Sequence, residues 1–168
     1  MSFGGKVALV YGAGGGMGLN IANDLIRAGA HVSLADLKTA PTDIATGPGT
    51  AEYYQGDATD ESFVAEVTAA TVKRQGKIDY LVNTTGVLWF DRDCSIVDID
   101  LDIWDRVLEI NLKSFVLTAR HAIAPMKASG GGAMVHLASV DALRGDGKPQ
   151  DAYGASKAAV IRLSKSIA

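Results

Sequence analysis

This chain of 168 residues has few of the features that mark secreted, membrane-bound or nucleic-acid-binding proteins. Its one cysteine, Cys94, allows no internal disulfide, which is typical of an intracellular compartment. No apolar run approaches the roughly 18 residues that a membrane helix needs. The net charge is only −3, no block of like charges is present, and the three histidines lack metal-ligand spacing. We therefore expect a cytoplasmic protein that binds no metal, nucleic acid or membrane.

Close to its start, the sequence contains a glycine-rich turn between a strand-like run, Lys6–Tyr11, and an amphipathic helical segment. Glycine lets the backbone adopt positive φ and approach a diphosphate closely, while the free N–H groups of the helix face the anion. A merely tight turn is the structural alternative. The order of strand, turn and helix predicts a nucleotide site whose candidate residues are Gly12, Gly15, Gly16, Met17 and Gly18.

The second strand-like run, His31–Asp36, ends in a carboxylate eighteen residues after Gly18. Dinucleotide-binding folds place the acid that binds the ribose at about this spacing. Asp36 would accept hydrogen bonds from the adenosine hydroxyls and repel a 2′-phosphate, and no cation lies within the turn, although Lys38 follows shortly. The pattern favours NAD over NADP. The alternative is an aspartate that simply caps the strand end in solvent.

Near the other end of the chain, Tyr153 and Lys157 lie four residues apart in a helical pattern, and Ser139 lies upstream at the predicted end of a strand. Positions i and i+4 share one face of a helix, so the phenol and the ammonium would point into the same space. The ammonium would favour the phenolate, which makes proton transfer by the tyrosine possible. Because the motif is short, a surface helix with a packed tyrosine and a solvated lysine is the alternative.

A long helical pattern from Leu101 to about Lys127 places Asn111 in a gap of its apolar stripe. A buried amide without partners costs about 1–3 kcal/mol, so it should bond to the backbone, to water or to a neighbouring site. On periodicity alone, an asparagine that is satisfied locally and bends the helix is an equal alternative. The stripe consists of Leu101, Trp104, Leu108, Phe115, Ala119, Ala122 and Met126.

Strand-like and helix-like segments alternate along the chain, which is typical of a parallel sheet covered on both faces. The expected fold class is α/β, a Rossmann-like doubly wound sheet in three α/β/α layers, with residues 1–168 in a single domain. Residues 38–50 contain two prolines and two glycines, so a loop is expected in place of a crossover helix. Further strands are expected at residues 51–55, 78–83 and 133–138, a helix from Asp60 or Ser62 to Gln75, and a loop at 86–100.

These motifs resemble the short-chain dehydrogenase/reductase family, whose glycine turn reads T-G-x-x-x-G-x-G and whose active site reads Y-x-x-x-K. Gly12, Gly16 and Gly18 match its three glycines, and Asp36 matches its ribose-binding carboxylate. Two departures are Tyr11 in place of threonine and Thr84-Thr85 in place of Asn-Ala. The remaining matches are Asp57 and Ala58 beside adenine, Asn83 and Gly86 of the N-N-A-G segment, and the catalytic tetrad Asn111, Ser139, Tyr153 and Lys157.

The resemblance implies a hydride exchange between NAD and a small secondary alcohol or ketone. Tyr153 would act as general acid/base, Lys157 would stabilise the phenolate and bind the nicotinamide ribose, Ser139 would orient the substrate oxygen, and Asn111 would hold a water in the proton path. A homodimer or homotetramer is also implied. Two alternatives stay open: an NADPH-dependent reductase of 3-oxoacyl type, which Asp36 disfavours, and a non-catalytic nucleotide-binding fragment.

Members of this family continue beyond the point at which this sequence stops. Val160–Ile167 has the pattern of a helix in mid-course, without a glycine or proline stop. We therefore expect the chain to be a piece of a longer enzyme, with a truncated paralogue as the alternative. In either case the 168 residues would lack the final strands of the family fold and one wall of the substrate pocket.

Overall fold

A computed structural model of the chain describes residues 2–145 and 147–168. Within these ranges the strands and α-helices alternate along most of the sequence, as expected. The strands are β1 (Val7–Tyr11), β2 (His31–Asp36), β3 (Thr50–Gln55), β4 (Tyr80–Asn83) and β5 (Ala133–His136). The helices are α1 (Gly16–Arg27), α2 (Glu61–Gln75), α3 (Leu101–Leu108), α4 (Ser114–Ala128) and α5 (Asp151–Ile167).

The five strands form one sheet in the order β3-β2-β1-β4-β5. Central strand β1 pairs in parallel with β2 and β4, and Tyr11 is in register with Ala35 and Asn83. Every residue of β1 is buried, as expected for a strand that helices cover on both sides. This Rossmann-like α/β architecture confirms the predicted fold class. The carboxyl ends of β1, β2 and β4 lie together at the edge where the glycine turn begins.

Backbone contacts divide the chain into two compact units, which are described separately. The first unit comprises Met1–Thr84 and Leu117–Val135, and the second comprises Thr85–Val116 and His136–Ala168. The single domain predicted for residues 1–168 stays a prediction.

The core of the first unit follows the alternation of side chains along β1. Leu9 and Tyr11 pack with buried residues of α2 and α4 in one cluster. Ala8 and Val10 pack with buried residues of α1 in another. The second unit has a smaller cluster of its own, which consists of Ile99, Ile103, Val107 and Ala152.

The long helical segment predicted from residue 101 to 127 is interrupted by a π-helical turn, Glu109–Lys113, between α3 and α4. A π turn holds an additional residue and therefore changes the phase of the inward face. Leu101, which was predicted to face inward, is 71% exposed, and Ile103 and Val107 are buried instead. The straight-helix prediction is therefore wrong for Leu101.

The segment between β2 and β3 contains turns and no helix, which confirms the predicted loop. Asn23 of α1 holds this loop. Its Nδ2 donates to the Asp43 carbonyl at 3.1 Å, and its Oδ1 accepts from the Ala45 N–H at 2.7 Å. The loop is thereby fixed next to α1, directly after the strand that ends in Asp36.

Candidate active site

The glycine turn follows β1 directly and leads into α1. Gly12 and Gly16 have φ angles of 81° and 53°, a region that favours glycine. Gly15, the N-cap residue of α1, provides no side-chain cap, and a Cβ added at Gly15 or Gly16 would meet nothing within 4 Å. Met17, in the first turn of the helix, is 64% exposed. An uncapped helix N-terminus with open space in front of it fits the diphosphate of a dinucleotide.

Asp36 lies at the end of β2, next to this turn. Its Oδ2 accepts a hydrogen bond from the Gly14 N–H at 2.8 Å, and its Oδ1 accepts one from the Lys38 N–H at 2.9 Å. A Cβ at Gly14 would lie 2.5 Å from the carboxylate carbon, so a glycine is required for this approach. Each carboxylate oxygen retains capacity for a further hydrogen bond. Asp36 therefore suits the ribose hydroxyls of a nucleotide on the turn.

Thr84, one of the two departures from the family pattern, bonds to the glycine turn. Its hydroxyl lies 3.0 Å from the Tyr11 carbonyl oxygen and 3.2 Å from that of Gly12. The Tyr11 ring is buried in the core, and burial raises the pKa of its phenol to about 12. The hydroxyl that fixes the turn thus comes from the residue after β4 rather than from position 11.

The other predicted nucleotide residues of the first unit have contacts within the protein. Asp57 Oδ1 accepts hydrogen bonds from the N–H and the hydroxyl of Thr59, both at 2.8 Å. Ala58 belongs to the core. Asn83 is buried and donates from Nδ2 to the Thr118 hydroxyl at 2.9 Å, which joins β4 to α4. Their contacts with a cofactor stay predictions.

Gly18→Ala is expected to disrupt the turn, because a Cβ here would overlap the carbonyl oxygen of Gly12 and lie 2.6 Å from the Thr84 hydroxyl. Overpacking against a backbone atom should lower the free energy of unfolding by about 1–3 kcal/mol. NAD affinity should fall about tenfold or more. Thermal unfolding and calorimetric titration measure both effects. Gly4→Ala is the control, since its Cβ would make only an ordinary contact, 3.5 Å from Ser2 Oγ. Unchanged NAD affinity in Gly18→Ala would contradict the prediction that this turn binds the nucleotide.

In the second unit, α5 places Tyr153 and Lys157 close together. The Lys157 Nζ lies 5.8 Å from the centroid of the Tyr153 ring and donates a hydrogen bond to the Leu137 carbonyl at 2.9 Å. Lys157 is only 4% exposed, and burial lowers the pKa of its ammonium group. A Cβ at Gly86 would lie 3.1 Å from this Nζ, so a glycine there leaves room for the cation. The arrangement puts a poorly hydrated positive charge beside a phenol.

Asn111 lies in the π turn and is 2% exposed. Its Oδ1 accepts from the Val87 N–H at 2.7 Å, and its Nδ2 donates to the Val87 carbonyl at 3.0 Å and to the Ser156 hydroxyl at 3.1 Å. Ser156 donates in turn to the Tyr153 carbonyl at 2.7 Å. The Asn111 amide therefore joins the loop at Val87 to the helix of Tyr153. The water that Asn111 was expected to hold stays a prediction.

Ser139 follows β5 and caps a single 3₁₀ turn, Val140–Ala142. Its hydroxyl accepts from the Asp141 N–H at 3.2 Å and donates to Asp141 Oδ2 at 3.2 Å. The hydroxyl thus lies on a short, hydrogen-bonded turn with a carboxylate at its side.

Asp93 is a residue that the sequence patterns did not indicate. It is 1% exposed, and its two carboxylate oxygens accept from the N–H groups of Ala152 at 3.2 Å and Tyr153 at 2.8 Å. Gln150, the N-cap residue of α5, makes no side-chain capping bond. Asp93 therefore supplies the cap from a distant part of the sequence. No sequence signal distinguishes it from nearby Asp91, because the contact exists only in the fold.

One cavity borders α5 and reaches Asp141, the neighbour of Ser139. This cavity of about 490 Å³ lies in the second unit and is lined by residues 141–145 and 149–151 and by Gly154, Ala155 and Ala158. None of the four candidate catalytic residues lines it. In the described ranges, no three His, Cys, Asp or Glu side chains are grouped to hold a metal ion. Residues 2–145 and 147–168 also contain no helix with the length and hydrophobicity to cross a bilayer.

Comparisons with known proteins agree with one another. Residues 6–168 match the family model described as short chain dehydrogenase. The chain is 34% identical to D-beta-hydroxybutyrate dehydrogenase of Rhizobium meliloti, covering 97% of this chain and 64% of that protein. It is also 34% identical to an NAD-dependent glycerol dehydrogenase of Listeria innocua, covering 97% and 63% respectively. A crystal structure of NAD⁺-bound xylitol dehydrogenase is similar with a TM-score of 0.90 at 31% identity, covering 99% of this chain and 65% of that one. The chain thus spans less than two thirds of these proteins.

Proposed function

The chain belongs to the short-chain dehydrogenase/reductase family, and from this premise we propose that it transfers a hydride between NAD(H) and a secondary alcohol or ketone. Tyr153 is the general acid/base in this proposal. The side chains that assist Tyr153 are Lys157, Ser139 and Asn111. Asp36 at the glycine turn selects NAD.

The observation that carries the proposal is the buried ammonium of Lys157. Within the described residues Lys157 forms no ion pair, and a carbonyl oxygen at 2.9 Å is its hydrogen-bond partner. A buried charge without a counter-charge is costly, so a purely structural position would favour an apolar side chain. The cost is offset if the cation stabilises negative charge that develops on the Tyr153 oxygen during the reaction.

Membership of the family implies the following roles, and the contacts of Lys157 and Asn111 support them. During oxidation, Tyr153 accepts the hydroxyl proton of the alcohol, and Lys157 stabilises the charge on the phenol oxygen. Ser139 donates a hydrogen bond to the reacting substrate oxygen. The bonds from Asn111 to Ser156 and onward to the Tyr153 carbonyl hold the backbone that carries the phenol. NAD⁺, when bound, supplies the hydride acceptor.

The choice of NAD rests on Asp36. The N–H groups of Gly14 and Lys38 hold its carboxylate beside the glycine turn. A 2′-phosphate on the adenosine ribose would bring further negative charge against this carboxylate. An NADPH-dependent reductase is therefore less well supported by this site.

The proposal is tested by incubating the purified chain with NAD⁺ and a panel of secondary alcohols while NADH absorbance is followed. We expect NADH to form only when both protein and alcohol are present. NADP⁺ should react about tenfold or more slowly, as expected when a carboxylate faces its extra phosphate. Faster reduction of NADP⁺ would refute the cofactor assignment. Absence of turnover with either nucleotide across the panel would refute the proposed reaction.

Asp36→Ala is expected to weaken NAD binding about 10- to 100-fold, since it removes charge-assisted hydrogen bonds to the ribose. NADP binding should weaken less or improve, because the repulsion of its phosphate is also removed. Paired calorimetric titrations with NAD⁺ and NADP⁺ measure the change in preference. Asp43→Ala is the control: it removes the same charge from an exposed position in the following loop and should leave both affinities unchanged. An Asp36→Ala protein that still prefers NAD to the same degree would contradict this role.

The names of the relatives include both a hydroxy-acid dehydrogenase and polyol dehydrogenases, so their names alone do not choose between an anionic and a neutral substrate for this chain. The homo-oligomer expected from the family also stays a prediction, which light scattering of the purified chain would test.

A further inference from the structure

The carboxylate of Asp141 lies directly beside the hydroxyl that is proposed to orient the substrate. Asp141 Oδ2 accepts a hydrogen bond from the Ser139 hydroxyl at 3.2 Å, and the Asp141 N–H donates one to the same hydroxyl oxygen. Backbone bonds fix this turn, because the N–H of Ala142 donates to the Ser139 carbonyl and the N–H of Leu143 donates to the Val140 carbonyl. Any molecule that accepts a hydrogen bond from Ser139 must therefore approach a carboxylate.

The charged groups near Asp141 in the second unit have other contacts or are exposed. Arg144 is exposed, and within the described part of the chain Asp141 takes part in no ion pair. The Lys157 ammonium donates to a carbonyl, and Asp151 Oδ2 accepts from the Ile96 N–H at 2.7 Å. Asp141 therefore presents its negative charge at Ser139.

We propose that Asp141 is a specificity residue that selects polyols, meaning substrates with a second hydroxyl next to the one that reacts. The inference rests on the proposed function, since it places the reacting oxygen at Ser139. When Ser139 donates its proton to that oxygen, Asp141 loses its hydrogen bond from Ser139. The adjacent hydroxyl of a vicinal diol replaces that donor with a charge-assisted hydrogen bond. A substrate carboxylate in its place would instead meet a like charge and be disfavoured.

The reaction with such a substrate balances without any further reactant. The carbinol carbon loses a hydride to NAD⁺, and its hydroxyl loses a proton to Tyr153. The C–O single bond becomes a carbonyl, so the diol leaves as a hydroxyketone, and NADH and one proton are the other products. Asp141 accepts a hydrogen bond throughout and exchanges no proton.

Three alcohols of four carbons differ in the group next to the reacting carbon: 2,3-butanediol, 2-butanol and 2-hydroxybutyrate. The wild-type chain should oxidise the diol with the highest kcat/KM and the hydroxy acid with the lowest. Asp141→Asn retains an oxygen that can accept from Ser139 but removes the charge. This variant should lower kcat/KM for the diol about tenfold, raise it for the hydroxy acid by a similar factor, and leave 2-butanol within about twofold. Asp98→Asn, the same change at an exposed position of the second unit, should alter none of the three.

A preference of the wild-type chain for 2-hydroxybutyrate would overturn the inference. An equal change for all three alcohols in Asp141→Asn would also overturn it, since that is the result of a damaged turn. If no alcohol is oxidised with either nucleotide, the proposed function fails. Saturation-transfer NMR with the same three molecules and NAD⁺ then measures binding, and so tests the role of Asp141 independently of turnover. Binding of the diol that weakens in Asp141→Asn supports the inference, and equal binding of diol and hydroxy acid overturns it.

Discussion

Tyr153→Phe is expected to lower turnover by about a thousandfold or more, within the range that general acid/base catalysis contributes to enzyme rates. The substitution removes one oxygen and keeps the ring, so the packing of α5 should persist. The Lys157 ammonium, 5.8 Å from the ring centroid, would retain its hydrogen bond to the Leu137 carbonyl. NAD affinity should therefore remain within about twofold of wild type, since the residues of the glycine turn are unchanged. Single-turnover formation of NADH, together with calorimetric titration of NAD⁺, measures the two quantities.

Tyr80→Phe is a matched control, because it removes a phenol oxygen from β4 while its ring can keep the edge-to-face contact with Phe3. We expect wild-type turnover in this variant. Turnover near the wild-type rate in Tyr153→Phe would exclude Tyr153 as the acid/base. Equal loss of NAD binding and turnover would show that the substitution acts through cofactor binding and not through proton transfer.

Local sequence patterns were sufficient to predict the sheet and the glycine turn. β2 has the predicted bounds His31–Asp36, and α2 begins at Glu61, between the two start positions considered. These elements depend on short-range signals, namely apolar runs, glycine breaks and an Asp60 cap that accepts from the Ser62 N–H. The strand ends were less accurate: β4 begins at Tyr80 rather than at residue 78, and β5 ends at His136 rather than at 138.

The π turn explains why the periodicity of apolar residues placed Leu101 on the wrong face of the long helical segment. A regular period of 3.6 residues assumes one continuous phase, but residues 109–113 form a wider turn. Periodicity still identified Asn111 as inward-facing, because the asparagine lies inside the turn itself, where it bonds to Val87 and Ser156. The exposed Leu101 lies on the other side of the change in phase.

The contacts that hold the candidate catalytic residues could not be predicted from the spacing of residues in the sequence. Asn111 is hydrogen-bonded to Ser156, 45 positions away in the sequence. Asp93 is hydrogen-bonded to Tyr153, 60 positions away. Such pairs need the fold to bring them together, and a single sequence gives no direct sign of them. The candidate catalytic residues could thus be proposed from the motifs, whereas the groups that position Tyr153 could not.

Two of these contacts converge on the first turn of α5. Ser156, itself bonded to Asn111, donates to the Tyr153 carbonyl, and Asp93 accepts from the Tyr153 N–H. Both backbone groups of Tyr153 are therefore held by side chains, one from within the helix and one from the loop after Gly86. A phenol that moves protons needs a fixed position, and hydrogen bonds to its backbone provide one without occupying its hydroxyl.

Asp93→Ala is expected to destabilise the chain by about 2–4 kcal/mol, because two buried N–H groups at the start of α5 lose their acceptor and a buried side chain is removed. For a chain of this length the melting temperature should fall by about 5–15 °C. Asp93→Asn should lie between wild type and alanine. Its amide oxygen replaces one carboxylate oxygen as an acceptor, while its NH₂ group, a donor, would face the other N–H. Thermal unfolding followed by circular dichroism measures all three proteins.

Asp100→Ala provides the comparison that separates a buried cap from an ordinary one. Asp100 is exposed and caps α3 by accepting from the Asp102 N–H at 2.9 Å, so its loss should cost only about 1 kcal/mol. Hydrogen exchange adds a local measure: in Asp93→Ala the amides of Ala152 and Tyr153 should lose protection before those in the middle of α5. If Asp93→Ala is no more destabilising than Asp100→Ala, the buried carboxylate does not hold the helix of Tyr153. If protection from hydrogen exchange is lost evenly along α5, the cap has no local effect at Tyr153. The position of Tyr153 must then depend on Ser156 and Asn111 alone.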